Sequence, residues 1–246
     1  MPLRITPDAS LFCGALRNPA GLAGAAPRIH ADQPCTEYFD WYRFCVPSFN
    51  QHGSSCVGWG WAHWLTAMIK RYVDPSAFAT GFQINGGAVW SRGRQMFWGG
   101  DLSSGLYLEQ GFAALMDLSA VPPGTELQEV DYGWDSVGLA LKDTPIVQAH
   151  DIDNAWFDAD RENGQIRIGG PGQGGHCTLR VGRVLQGDDR FYALANSWGQ
   201  EWGLYGFGIL DAIDDLKELQ APGLYTAKLP DGWQTWDGWK KLLFKP

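Results

Sequence analysis

The chain has no excess of basic residues. Its 246 residues hold 19 Lys and Arg against 27 Asp and Glu, a formal net charge of −8. A nucleic-acid footprint needs a basic face, so that class of partner is not expected. No apolar run approaches the roughly 18 residues that a membrane span requires. The opening Met1-Pro2-Leu3-Arg4 lacks the apolar core of a signal peptide. There is no Cys-x-x-Cys and no His-x-x-x-His pair, so neither a metal site nor a cofactor is expected. The five cysteines (Cys13, Cys35, Cys45, Cys56 and Cys177) are odd in number and scattered, which is not a disulfide framework. What remains is a hydrophobic fraction of 45% with 13 Trp, enough for a real core in one large domain or two small lobes.

The stretch around which the chain is organised is Gln51-His52-Gly53-Ser54-Ser55-Cys56-Val57-Gly58-Trp59. A small, polar loop ends in a cysteine, and an apolar, Trp-rich run follows until Asp74-Pro75 closes it. This predicts a buried helix from Cys56 to about Val73 with the cysteine in its first turn. A thiol there faces the positive end of the helix dipole and unpaired backbone N–H groups, both of which favour the nucleophilic thiolate. Before this point, residues 1–36 are rich in Ala, Gly and Pro and read as an extended arm. After it, Thr80 to Leu118 reads as helix in pieces, broken at Gly99-Gly100, with Ser103 or Ser104 as the N-cap of the later piece.

Beyond residue 145 the pattern turns to short strands: Pro145–His150, Gln165–Ile168, Cys177–Val184 and Phe191–Ala195, the last two joined by a turn at Gly187-Asp188-Asp189. A helical first half and an antiparallel second half predict an α+β architecture. The hairpin carries His176 on one strand and Asn196 at the end of the other. In the tail, Asp211–Leu219 reads as a short acidic helix. Trp233, Trp236 and Trp239 follow it, and either pack on the parent domain or dock to a protein partner.

Two stretches join the Cys56 loop. One is Gly174-Gly175-His176-Cys177. The other is Asn196-Ser197-Trp198-Gly199-Gln200-Glu201-Trp202-Gly203-Leu204-Tyr205-Gly206-Phe207. Together, over about residues 38–210, they closely resemble the papain family of cysteine peptidases. His176 follows Cys56 by 120 residues and Asn196 follows it by 140, against a family rule of roughly 130–150. The resemblance implies a papain-like two-lobed domain over 37–210. Its helical lobe would span about 50–140 and its antiparallel β lobe about 141–210, with the site at the seam and residues 211–246 outside the domain.

The resemblance also assigns roles. Cys56 would be the nucleophile, His176 the base and later the acid, and Asn196 the group that orients the imidazole. Trp198 would shield that hydrogen bond, and Gln51 with the Cys56 N–H would form the oxyanion hole. Gln51 stands five residues before Cys56 where papain has six, which leaves Asn50 as the alternative. Ser104, Gly105 and Gly175 would line the cleft, with Asn85-Gly86-Gly87 a rival to Ser104-Gly105. Cys177 should point away from His176, His63 should be a core residue, and His30, His52 and His150 have no partner pattern.

Secreted relatives carry a second cysteine just before the nucleophile. Gly53-Ser54-Ser55 cannot form that bridge, and residues 1–36 are too short for a helical inhibitory prosegment. A bacterial or bacteriophage origin and a cytoplasmic or virion-associated place are therefore expected. The function expected is a cysteine endopeptidase acting on a protein or peptide substrate. Two alternatives stand beside it: an amidase or transglutaminase-like acyl transfer using the same Cys and His, and a catalytically silent papain-fold module. The shortened Gln loop, the missing prosegment and the Trp-rich tail favour the silent module, and the complete Cys, His and Asn set opposes it.

Overall fold

The computed structural model describes residues 15, 26–35, 40–45, 50–74 and 82–243. The expected arm therefore lies largely outside the described residues. At the centre stands α1 (Cys56–Tyr72), in which every residue from Cys56 to Lys70 is buried. A helix apolar on all sides belongs in a core rather than on a surface. Its indoles reach partners despite burial: Trp61 donates to the Leu108 carbonyl at 2.7 Å and Trp64 to Thr144 Oγ1 at 2.8 Å. Lys70 and Arg71 occupy the last turn, where cations suit the helix dipole.

Two helices flank α1. In α2 (Gly86–Trp98), Asn85 caps the first turn by accepting the Ala88 N–H at 3.1 Å, and Gly99 ends the helix at φ 63°. The rival cleft candidate Asn85-Gly86-Gly87 is thus a helix start, with Gly86 packed against Trp59. Next, α3 (Leu108–Asp117) begins four residues beyond Ser104. The Gln110 side chain accepts the Tyr107 N–H there, so neither Ser103 nor Ser104 is its cap. Ser103 instead folds onto Asp101 through its N–H and hydroxyl.

A seven-stranded sheet completes the fold. Its strands are β1 (Arg28–Ile29), β2 (Glu126–Val130), β3 (Ile146–Asp153), β4 (Gly172–Gln186), β5 (Asp189–Ala195), β6 (Phe207–Asp211) and β7 (Leu219–Lys228). The order across the sheet is β1-β2-β7-β3-β4-β5-β6, with β1–β2 parallel and the other pairs antiparallel. Helix α4 (Trp134–Asp143) packs on its first half, and α5 (Ala212–Glu218) lies between β6 and β7.

Three expectations change. The segment 165–168 is not a strand and makes only a single bridge, Gln165 to Ile209. Strand β2 falls within the range expected to be helical. Most consequentially, 211–246 is not an appendage: β7 lies in the middle of the sheet, between β2 and β3. Ala221-Pro222-Gly223 hid it, because proline argues against a central strand. The ladder accommodates the interruption by a register shift between Gln148 and His150 of β3.

The end of the chain packs on its own domain. Trp239 is buried and meets Phe82 edge-on at 5.3 Å, Trp236 donates to the Ser119 carbonyl at 3.1 Å, and Trp233 meets Tyr72 at 6.0 Å. Among the described residues no helix is long and apolar enough to cross a membrane.

Candidate active site

The seam is set by the docking of α1 on β4. Gly60 lies one helical turn past Cys56, and a Cβ there would stand 2.5 Å from Cys177 Sγ. Only glycine lets strand and helix come this close. Cys56 opens α1 and is fully buried. Ser55 sits at the N-cap position, but its hydroxyl turns back to the His52 carbonyl at 2.8 Å instead of capping the helix. No side chain at that position competes for the amide donors of the first turn.

Across the seam, the β4–β5 hairpin does what its sequence predicts. Leu179 pairs with Ala195, and His176 Nε2 reaches Asn196 Oδ1 at 2.8 Å. Both residues are buried. A carbonyl oxygen only accepts, so Nε2 carries the proton and donates. Trp198 stacks on the imidazole at 4.4 Å and 30°, and Phe157 stacks on the indole at 4.7 Å. The hydrogen bond thus lies in a dry, aromatic setting that strengthens it. Gly199 takes φ 81°, and a Cβ on it would collide with the Asn50 side chain, so the glycine of the Asn-Ser-Trp-Gly motif is required where it stands.

The two oxyanion candidates part company. Asn50 is exposed, its backbone bridging to Trp198. Gln51 is buried and held on three sides. Its N–H donates to the Ser197 carbonyl at 2.8 Å, its Oε1 accepts from Ser197 Oγ, and its Nε2 donates to the Gly53 carbonyl at 3.0 Å. Ser197 was not singled out in the sequence, although it sits inside the motif.

The Ser104 and Gly105 carbonyls are tied to α2 through Trp90 Nε1 at 3.3 Å and Arg94 Nη1 at 2.8 Å. Ala15 connects the two sides of the seam. Its N–H donates to the Gly175 carbonyl at 3.0 Å, and it bridges in parallel to Leu106, the neighbour of Gly105. The expected cleft residues of both lobes therefore flank one and the same piece of backbone. Nothing in the composition of the arm pointed to Ala15.

The remaining titratable groups divide clearly. Burial, with charge on Cys56 adding to it, pushes the Cys177 thiol well above its ordinary value, so it stays protonated and inert. Burial pushes Cys45 up to about 12. Burial and the nearby Lys70 lower His63 to about 4, a neutral core histidine beside Trp59. His150, which had no partner pattern in the sequence, has one in space: its Nε2 lies 2.8 Å from Asp215 Oδ1, with both side chains fully buried.

No protein-family model and no curated protein matches this sequence. Solved structures do match. Xylellain, a cysteine protease from Xylella fastidiosa, is 16% identical, with 90% of this chain and 97% of that one covered and a TM-score of 0.68. Procathepsin L2 proteinase from Tenebrio molitor larval midgut is 18% identical, covering 92% and 81% at 0.61. Procathepsin B S9 from Trypanosoma congolense is 14% identical, covering 89% and 87% at 0.60. At these identities the likeness is one of fold. The chain has the papain-like, two-lobed cysteine-peptidase fold.

Proposed function

We propose that this chain is a papain-like cysteine endopeptidase. The observation that carries the reading is the 2.8 Å hydrogen bond from His176 Nε2 to Asn196 Oδ1 under Trp198, on a strand docked against the helix that Cys56 opens. With Nε2 committed to Asn196, Nδ1 is the ring nitrogen that exchanges a proton with the Cys56 thiol. The helix N-terminus and the imidazolium both stabilise the thiolate.

The thiolate adds to the carbonyl carbon of a peptide. The Cys56 N–H and the Gln51 amide hold the oxyanion, with Ser197 fixing the orientation of that amide. The imidazolium then protonates the leaving amine as the C–N bond breaks, leaving a thioester. Water, deprotonated by His176, attacks the thioester, and the acid and thiolate are released. Gly105 and Gly175 hold the extended peptide, a role supported by the backbone of Ala15 lying between Gly175 and Leu106.

The test is labelling by a peptidyl epoxysuccinate followed by peptide mapping. One equivalent on Cys56, absent in Cys56→Ala and accompanied by hydrolysis of casein in the wild type, is the expected result. Indifference of Cys56 to the reagent overturns the reading.

A further inference from the structure

A row of buried polar side chains runs along one face of the sheet, away from the site. His176, Thr178 and Arg180 are alternate residues of β4 and therefore share a face. His150 of β3 lies directly opposite His176, and Gln148 lies opposite Thr178. Directly opposed residues bring their Cβ atoms to about 5 Å. From Thr178 round to His150 the row is bonded at every step, and His150 stands opposite His176. Thr178 Oγ1 accepts from Gln148 Nε2 at 2.9 Å, and Gln148 Oε1 accepts from Arg180 Nε. Arg180 Nη2 donates to both oxygens of Asp215 at 2.8 and 2.7 Å, and Asp215 Oδ1 returns to His150 Nε2 at 2.8 Å.

An aromatic belt holds the two imidazoles together from the other side. His150 packs on Trp156 at 5.1 Å, and the Trp156 carbonyl accepts from Trp202 Nε1 at 2.6 Å. Trp202 meets Trp198 edge-on at 5.8 Å, and Trp198 stacks on His176. Arg180, Asp215, His150 and His176 are all buried. A buried ion pair rarely outperforms apolar packing for stability alone, and this one is bonded to His150, the residue opposite the imidazole that the proposed chemistry uses.

We infer that Asp215, acting through His150, is a positioning residue for His176, and that its balance with Arg180 sets the proton affinity of the Cys56–His176 pair. This rests on the peptidase reading above. Asp215 faces Arg180 of β4, His150 of β3, Tyr132 ahead of α4 and Tyr192 of β5. Asp211, Asp214 and Lys217 are the charged neighbours on its own segment. At the far end stand Cys56 of α1 and Cys177 of β4. Burial pushes the Asp215 carboxyl up, but Arg180 and the His150 hydrogen bond outweigh it and hold it ionised, below the ordinary carboxylate value. The pair is therefore electrically balanced. Removing either member leaves an uncompensated charge in a low-dielectric interior.

The experiment is an NMR titration of His176 in the full chain labelled with 13Cε1-histidine, the resonance assigned by its loss in His176→Gln. Asp215→Asn leaves Arg180 unopposed and should lower the His176 pKa by about 0.5–1 unit; Arg180→Gln leaves the carboxylate unopposed and should raise it by a similar amount. The double variant should return it to the wild-type value. Opposite shifts that cancel are not what general loosening of a core produces. His150→Gln keeps an N–H for Asp215 but removes the ring, and should lower kcat about tenfold with KM unchanged. Equal His176 titrations in the wild type and all three charge variants overturn the inference even if the protein cleaves peptides. A protein that cleaves none, yet shows the opposite shifts, keeps the inference and overturns the peptidase reading.

Discussion

His176 and Asn196 are 20 residues apart in the chain and 2.8 Å apart at Nε2 and Oδ1. The β4–β5 turn at Gly187 makes that distance a matter of strand register rather than chance. If the roles proposed above hold, the two residues differ in what they contribute. The scaffold and Trp198 retain part of the ring orientation without Asn196, but nothing replaces the proton acceptor. Asn196→Ala should lower kcat/KM by about 10–100-fold, and His176→Ala by about 10³-fold or more. Paired measurements giving the reverse order would overturn the assignment.

If Gly105 and Gly175 hold the substrate as proposed, Ala15 lies where its backbone would lie. A tethered segment acts at an effective concentration near the millimolar range, so it should compete with peptide substrate. Deleting residues 1–25 should lower KM severalfold and leave kcat unchanged. An unchanged KM with a fallen melting temperature would mean that the contact serves only stability.

His63 has a definite pH signature. Its pKa drops from 6.5 to about 4 on folding, through burial and then Lys70. The unfolded chain therefore binds a proton that the folded chain refuses between those values. Stability is full above pH 6.5 and falls as the pH drops towards 4, by up to about 3 kcal/mol. His63→Gln should remove that component, visible as a flatter dependence of denaturant midpoint on pH. A slope identical to the wild type's would refute it.

The tail offers two truncations with different outcomes. Ending the chain at Asp211 removes β7 from between β2 and β3, so no folded monomer should form. Ending it at Pro230 keeps the sheet and loses Trp239, a burial worth about 3 kcal/mol. The melting temperature should fall by about 6–12 °C, with Cys56 still reactive towards an epoxysuccinate. A stable, soluble chain ending at Asp211 would contradict the observed topology.

The sequence by itself determined the parts governed by near neighbours. The apolar run after Cys56, closed at Asp74, specified α1 to within a residue at each end. The turn at Gly187 specified the hairpin that brings His176 to Asn196, and the Asn-Ser-Trp-Gly motif carried Trp198 and the left-handed Gly199. These features follow from periodicity, turn chemistry and strand register, which act over a few residues or across one tight turn.

Only the tertiary structure decided the rest. It put β7 in the middle of the sheet, although Pro222 reads as a strand breaker. It joined His150 to Asp215 across 65 residues, laid Ala15 against Gly175, and folded three tryptophans back onto their own domain. Each of these depends on which distant surfaces remain to be covered once the local elements exist. Hydrophobic burial is non-directional, so a residue's own neighbours in sequence carry no record of the partner it will meet.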